Sequence, residues 1–143
     1  MADHDFSILL VEDDDIDILN VQRAFKKLNY PNTIHVAHNG VEALDMLRGT
    51  NGISKITPLP RIILLDINMP LMNGLEMLKE IRKDESLSSL SAFVLTTSSD
   101  HKDLVDAYRQ HVAGYVVKPL NFDNFSEIIQ KFYDFWTLCV YPD

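Results

Sequence analysis

Hydrophobic and polar positions along the chain follow two alternating regimes. Five short runs are nearly continuous in Ile, Val and Leu: "SILLV" (7–11), "TIHVA" (33–37), "RIILLD" (61–66), "AFVLTT" (92–97) and "GYVVK" (114–118). Runs of this kind predict strands covered on both faces. Between them, apolar residues recur at spacings near three or four. Asp14 to Leu28 carries Ile18, Val21, Phe25 and Leu28, and Gly40 to Arg48 carries Val41, Leu44 and Leu47. Asn73 to Arg82 carries Leu75, Leu78 and Ile81, and Asp100 to His111 carries Leu104, Val105 and Tyr108. Phe122 to Trp136 carries Phe125, Ile128, Ile129, Phe132 and Trp136. Each spacing predicts a helix with one apolar face. The alternation is (βα)5, an α/β fold with a mostly parallel sheet, helices on both faces and right-handed crossovers. The segment "GTNGISKITPLP" (49–60) has Gly and Pro but no period, and reads as a surface loop.

Ligands of such sheets bind beyond the carboxyl ends of the strands, where the strand order reverses. The first run ends at Glu12 and Asp13, the third at Asp66, the fourth at Thr96 and Thr97, and the fifth at Lys118. Three carboxylates brought together repel by about 4 kcal/mol per pair at 4 Å and an effective dielectric of 20. They take up protons or gather a cation. An all-oxygen donor set suits a hard divalent ion, Mg2+ above all. Glu12 and Asp13 take the metal role. Asp14, Asp15 and Asp17 read as first-turn acids that offset a helix dipole. A calcium loop does not fit, because Ile18 stands where the EF-hand pattern wants Gly and Ala24 where it wants Glu.

Composition narrows the function. A length of 143 residues suits one domain. The net charge of -8 and the scattered basic residues, as in "FKKL" and "IRKD", argue against a nucleic-acid surface and read as solvated helix faces. No apolar run approaches the ~20 residues that cross a bilayer. "MADHDF" lacks a signal-peptide pattern, so a cytoplasmic location is expected. Cys139 has no cysteine to pair with. His35 and His38 point to opposite faces of a strand and are not ligands.

The motifs "ILLVEDD" (8–14), "ILLDINMPLMNGLEML" (63–78), "FVLTTS" (93–98) and "GYVVKPL" (114–120), in this order, make the chain resemble a response-regulator receiver domain of the two-component type. The resemblance covers essentially the whole chain. It implies the flavodoxin- and CheY-like sheet, order 2-1-3-4-5. It also implies that Asp66 accepts a phosphoryl group from the histidine of a sensor kinase. Glu12, Asp13 and Asp66 would bind Mg2+ with the backbone carbonyl of Asn68. Thr96 would be the switch hydroxyl, Lys118 the partner of the phosphoryl oxygens, and Tyr115 the aromatic switch. A cis bond between Lys118 and Pro119 is expected, turning the lysine into the pocket. Thr97 departs from the Ala or Gly common at its position, and its bulk would slow access to Asp66.

After the last helix only "TLCVYPD" remains, which leaves no room for a DNA-binding output; a single-domain receiver acting through protein contacts is expected. Residues 1–136 form the receiver domain and 137–143 an apolar tail. Phe132, Phe135 and Trp136 exceed one helix face, and surplus aromatic surface marks an interface. A homodimer through the last strand, last helix and tail is one reading, and a tail folded back on its own domain the other. "TTS", "HVAGYVVKPL" and "FWTLCVYP" resemble the small response regulators that serve bacterial phytochromes, which would make the partner a light-sensing histidine kinase. Three rivals stand beside this. A phosphatase with a nucleophilic Asp needs a second Asp where Asn68 stands. A flavodoxin-like carrier needs a phosphate loop where the acidic turn lies. A non-switching scaffold would not need the set of Glu12, Asp13, Asp66, Thr96 and Lys118.

Overall fold

The computed structural model describes residues 5–141. Five strands and five helices alternate: β1 (Ile8–Val11), α1 (Asp15–Lys27), β2 (Ile34–Ala37), α2 (Gly40–Arg48), β3 (Ile62–Leu65), α3 (Gly74–Lys83), β4 (Ser91–Thr96), α4 (His101–Arg109), β5 (Gly114–Val117) and α5 (Phe122–Leu138). All strand pairs are parallel and the order is β2-β1-β3-β4-β5, as expected. The start of the "MADHDF" segment and the last two residues of the tail lie outside the described residues.

The two-residue period of a strand sorts the core into two layers. Leu9, Val11, Ile63, Leu65, Ala92 and Val94 point to one face, under α2, α3 and α4. Ile8, Leu10, Ile62, Leu64, Phe93 and Leu95 point to the other, under α1 and α5. Strands covered on both faces need no polar alternation, which explains the near-continuous apolar runs. The helices start on short polar side chains. Asn39, Asn73 and Asn121 each accept the backbone N–H three residues on, and at α3 Glu76 returns the bond to Asn73.

The loop before β3 runs over the surface as expected, pinned where Ile56 is buried and its N–H meets the Met46 carbonyl. Two expectations need correction. Val41 points to solvent, and α2 packs instead through Gly40, Ala43, Leu44 and Leu47. Phe132 and Trp136 are core residues: Trp136 is fully buried, stacked on Phe132, and both meet Phe93 of β4 edge-on. Packed against both the sheet and α1, α5 buries Phe125, Ile129, Phe132, Tyr133 and Trp136, so its aromatics are not surplus. Of that trio only Phe135 stays exposed. The helix continues to Leu138, and beyond it the Tyr141 ring lies 4.6 Å from the Arg61 guanidinium.

Candidate functional site

The carboxyl ends of β1, β3 and β5 deliver their charged residues to one point. The Glu12 N–H is held by the Ala37 carbonyl and the Asp66 N–H by the Val11 carbonyl, each extending a parallel ladder by one residue. Lys118 is fixed likewise, its N–H on the Thr96 carbonyl at 2.7 Å. Glu12 and Asp66 are buried, whereas Asp13 faces solvent. Ligand oxygens of Glu12, Asp13 and Asp66 lie within 4.8 Å of one another.

The Lys118 ammonium sits among carboxylates. It donates to Glu12 Oε1 at 2.5 Å, Asp17 Oδ2 at 2.7 Å and Asp66 Oδ2 at 2.9 Å. Its side chain is only 6% exposed, so these bonds are shielded from water. Burial opposes its charge, but the bonds to Asp17, Glu12 and Asp66 outweigh that and hold its pKa above the ordinary lysine value. Glu12 shows the opposite balance. Burial pushes its carboxyl up to about 7; the Lys118 bond pulls the other way, and the nearby Asp66 charge adds to the rise. A buried carboxyl so reluctant to ionise beside two more carboxylates fits a hard dication such as Mg2+, which would be held by Glu12, Asp13 and Asp66.

The remaining expected residues surround this point. Asp66 Oδ1 accepts the Ile67 N–H at 2.7 Å, leaving the carboxylate fixed between that amide and the lysine. Asn68 is exposed on the turn that follows. That turn approaches closely: a Cβ on Gly74 would overlap the Asp66 carbonyl oxygen, so glycine is required there by space. Thr96 is fully buried at the end of β4, and its Oγ1 accepts the Ser98 N–H at 3.2 Å. The Tyr115 hydroxyl donates to the Ser98 carbonyl at 2.9 Å, tying β5 to the β4–α4 turn. Thr97 is exposed beside them.

Lys118–Pro119 is trans, contrary to expectation; among the described residues the cis bond is Thr57–Pro58. The trans form is the ordinary one, and the lysine stem reaches all three carboxylates with it. Two further residues were not legible in the sequence. Asp17 is more than a first-turn acid, since Asp14 provides the cap of α1 and Asp17 turns its carboxylate to Lys118. Ser98 links Thr96, Tyr115 and, through its hydroxyl, Asp103 at 2.7 Å. Its only signal was its place in "TTS".

The chain is similar to known proteins over nearly its whole length. Residues 8–130 match the response regulator receiver domain family. The chain is 37% identical over 135 residues to the probable methanogenesis regulatory protein FilR2 of Methanothrix harundinacea, covering 94% of this chain and 86% of that one. It is 33% identical over 129 residues to the response regulator Rcp1 of Synechocystis sp., covering 90% and 87%. The Mn(2+)-bound form of Rcp1 superposes with a TM-score of 0.85 at 31% identity, over 96% of this chain and 99% of that one. The phosphorylated cyanobacterial phytochrome response regulator RcpA superposes with a TM-score of 0.87 at 32% identity, over 96% and 99%. No helix among the described residues is long and apolar enough to cross a membrane.

Proposed function

Because the chain belongs to the response regulator receiver domain family, we propose that it accepts a phosphoryl group from a sensor histidine kinase onto Asp66. A carboxylate oxygen of Asp66 attacks phosphorus, the new O–P bond forms as the donor's N–P bond breaks, and the imidazole leaves with the electron pair and takes up a proton. The observation that carries this reading is the convergence of Lys118 and the acidic set on the Asp66 carboxylate. Lys118, bonded to Asp66 Oδ2, would donate to an oxygen of the incoming group as it adds negative charge at Asp66. Glu12, Asp13 and Asp66, with the Asn68 carbonyl, would hold Mg2+. Bound there, the ion supplies charge neutralisation for the transferred group. Thr96 and Tyr115, joined through Ser98, are the elements that would register the change and pass it to α4 and β5.

The likeness to the phytochrome response regulator RcpA supports a phytochrome as the kinase. The exposed apolar residues Val117, Phe135, Leu138 and Val140 support output through protein contacts, with a homodimer formed by β5, α5 and the tail.

The test is intact mass after incubation with acetyl phosphate and Mg2+, beside an Asp66→Asn control. One added phosphoryl group is expected, absent in the control and absent when EDTA replaces Mg2+. A wild-type protein that stays unmodified under conditions that label another receiver would overturn the reading.

A further inference from the structure

We propose that Asp17 is a positioning residue for Lys118, holding the ammonium over Asp66 through a partner that the acidic site itself does not require. The inference rests on the phosphoacceptor reading above. An ammonium has three protons and no more. Here each is committed, to Glu12, Asp17 and Asp66. Two of those partners have a second duty, since Glu12 and Asp66 belong to the set that would hold a cation with Asp13. Asp66 would also carry the phosphoryl group. Asp17 lies outside that set. It is therefore the partner of Lys118 whose hold survives when the other two are engaged elsewhere.

The local structure is built for this. Asp17 sits in the first turn of α1, its N–H 3.3 Å from Oδ1 of the cap Asp14. Its backbone is thus fixed by the helix, as that of Lys118 is fixed by the bond to the Thr96 carbonyl. The two residues stand 101 positions apart in sequence and meet because β1 and β5 both end at this rim. The Asp17 side chain is 25% exposed and that of Lys118 6%, so the bond also closes the solvent side of the lysine. Without it, once Glu12 and Asp66 are engaged elsewhere, a four-carbon stem with free rotors would hold a charge whose place decides whether it meets the phosphoryl oxygens.

The test compares wild type with Asp17→Ala, Asp17→Asn and Asp17→Ser, in two measurements. The first is the rate of Asp66 phosphorylation by acetyl phosphate with Mg2+. The second is hydrogen exchange of the Lys118 ammonium by 15N NMR in metal-free protein. Asp17→Ala is expected to phosphorylate about tenfold more slowly and to exchange the Lys118 protons about tenfold faster. Asn keeps an acceptor oxygen at the same reach and is expected to recover both to within about threefold of wild type. Ser keeps a polar first turn but is too short to reach, and should behave as Ala does; it serves if Ala does not fold. Wild-type rate and exchange in the Ala and Ser variants would overturn the proposal. So would an Asn variant as impaired as Ala, because the charge and not the hold would then be what matters. Should the wild type take no phosphoryl group at all, the phosphoacceptor reading fails while the exchange measurement still decides whether Asp17 holds Lys118.

Discussion

Lys118 is the residue on which the charge balance of the site turns. Three carboxylates surround its ammonium, and a buried charge that loses its partner costs more than the pair contributed. Lys118→Ala is therefore expected to destabilise the metal-free protein by about 3 to 5 kcal/mol, read from urea unfolding in EDTA. Millimolar Mg2+ should raise the unfolding midpoint more in this variant than in wild type, since the stranded carboxylates are then its ligands. Equal midpoints for the two proteins in EDTA would mean that the carboxylates relax or protonate without cost. At this scale the sequence was legible where a strand end explains the residue. Glu12, Asp66, Thr96 and Lys118 all stand at such ends. Asp17 was not legible, because an acid in a first turn already has a sufficient local explanation and its partner is distant in sequence. Nor was the isomer of the Lys118–Pro119 bond, which proline leaves open in both forms.

Among the elements, α3 shows how a basic residue that looks merely solvated can organise its surroundings. Arg82, within "IRKD", donates to four backbone carbonyls: Gln110 at 2.7 Å, Ser88 and Leu90 at 2.8 Å each, and His111 at 3.1 Å. It thereby ties the end of α3 to the approach to β4 and to the turn between α4 and β5. Burial lowers its pKa below the ordinary arginine value, which marks a guanidinium partly removed from water. Arg82→Ala would leave these carbonyls without their donor, at a cost of about 2 to 4 kcal/mol in chemical denaturation. Arg82→Lys should recover little, because a single ammonium cannot span the fork. A lysine variant as stable as wild type would refute the role of the fork. The periods of three and four found the helices themselves, but they did not separate Arg82 from ordinary surface charge, since its partners are all main-chain atoms outside its own helix. They also overcounted α4. That helix buries only Ala107 fully and leaves Tyr108 half exposed.

For the whole molecule the open matter is which apolar surface serves the core and which a partner. The (βα)5 alternation made the two-layered core legible, since strands buried on both faces betray themselves as unbroken Ile, Val and Leu. It did not separate the two sides of α5, because an aromatic run of "FYDFW" satisfies both descriptions until the helix is docked. Once docked, Trp136 is wholly inside, while Phe135 is 50% exposed and Leu138 and Val140 project further. Phe135 also lines a surface hollow with Gly114, Val116 and Ile128, a receptive shape beside a protruding apolar strip. Two substitutions one residue apart should therefore have opposite consequences. Trp136→Ala removes a core ring and should cost about 3 to 5 kcal/mol of folding free energy. Phe135→Glu should leave the fold within about 1 kcal/mol of wild type. By light scattering coupled to size exclusion, the wild type is expected at twice the 16.4 kDa of one chain and Phe135→Glu at that single mass. A wild type that elutes as one chain at high micromolar concentration would remove the homodimer and leave the strip for a different protein. A dimer that survives Phe135→Glu would move the interface off this side of α5.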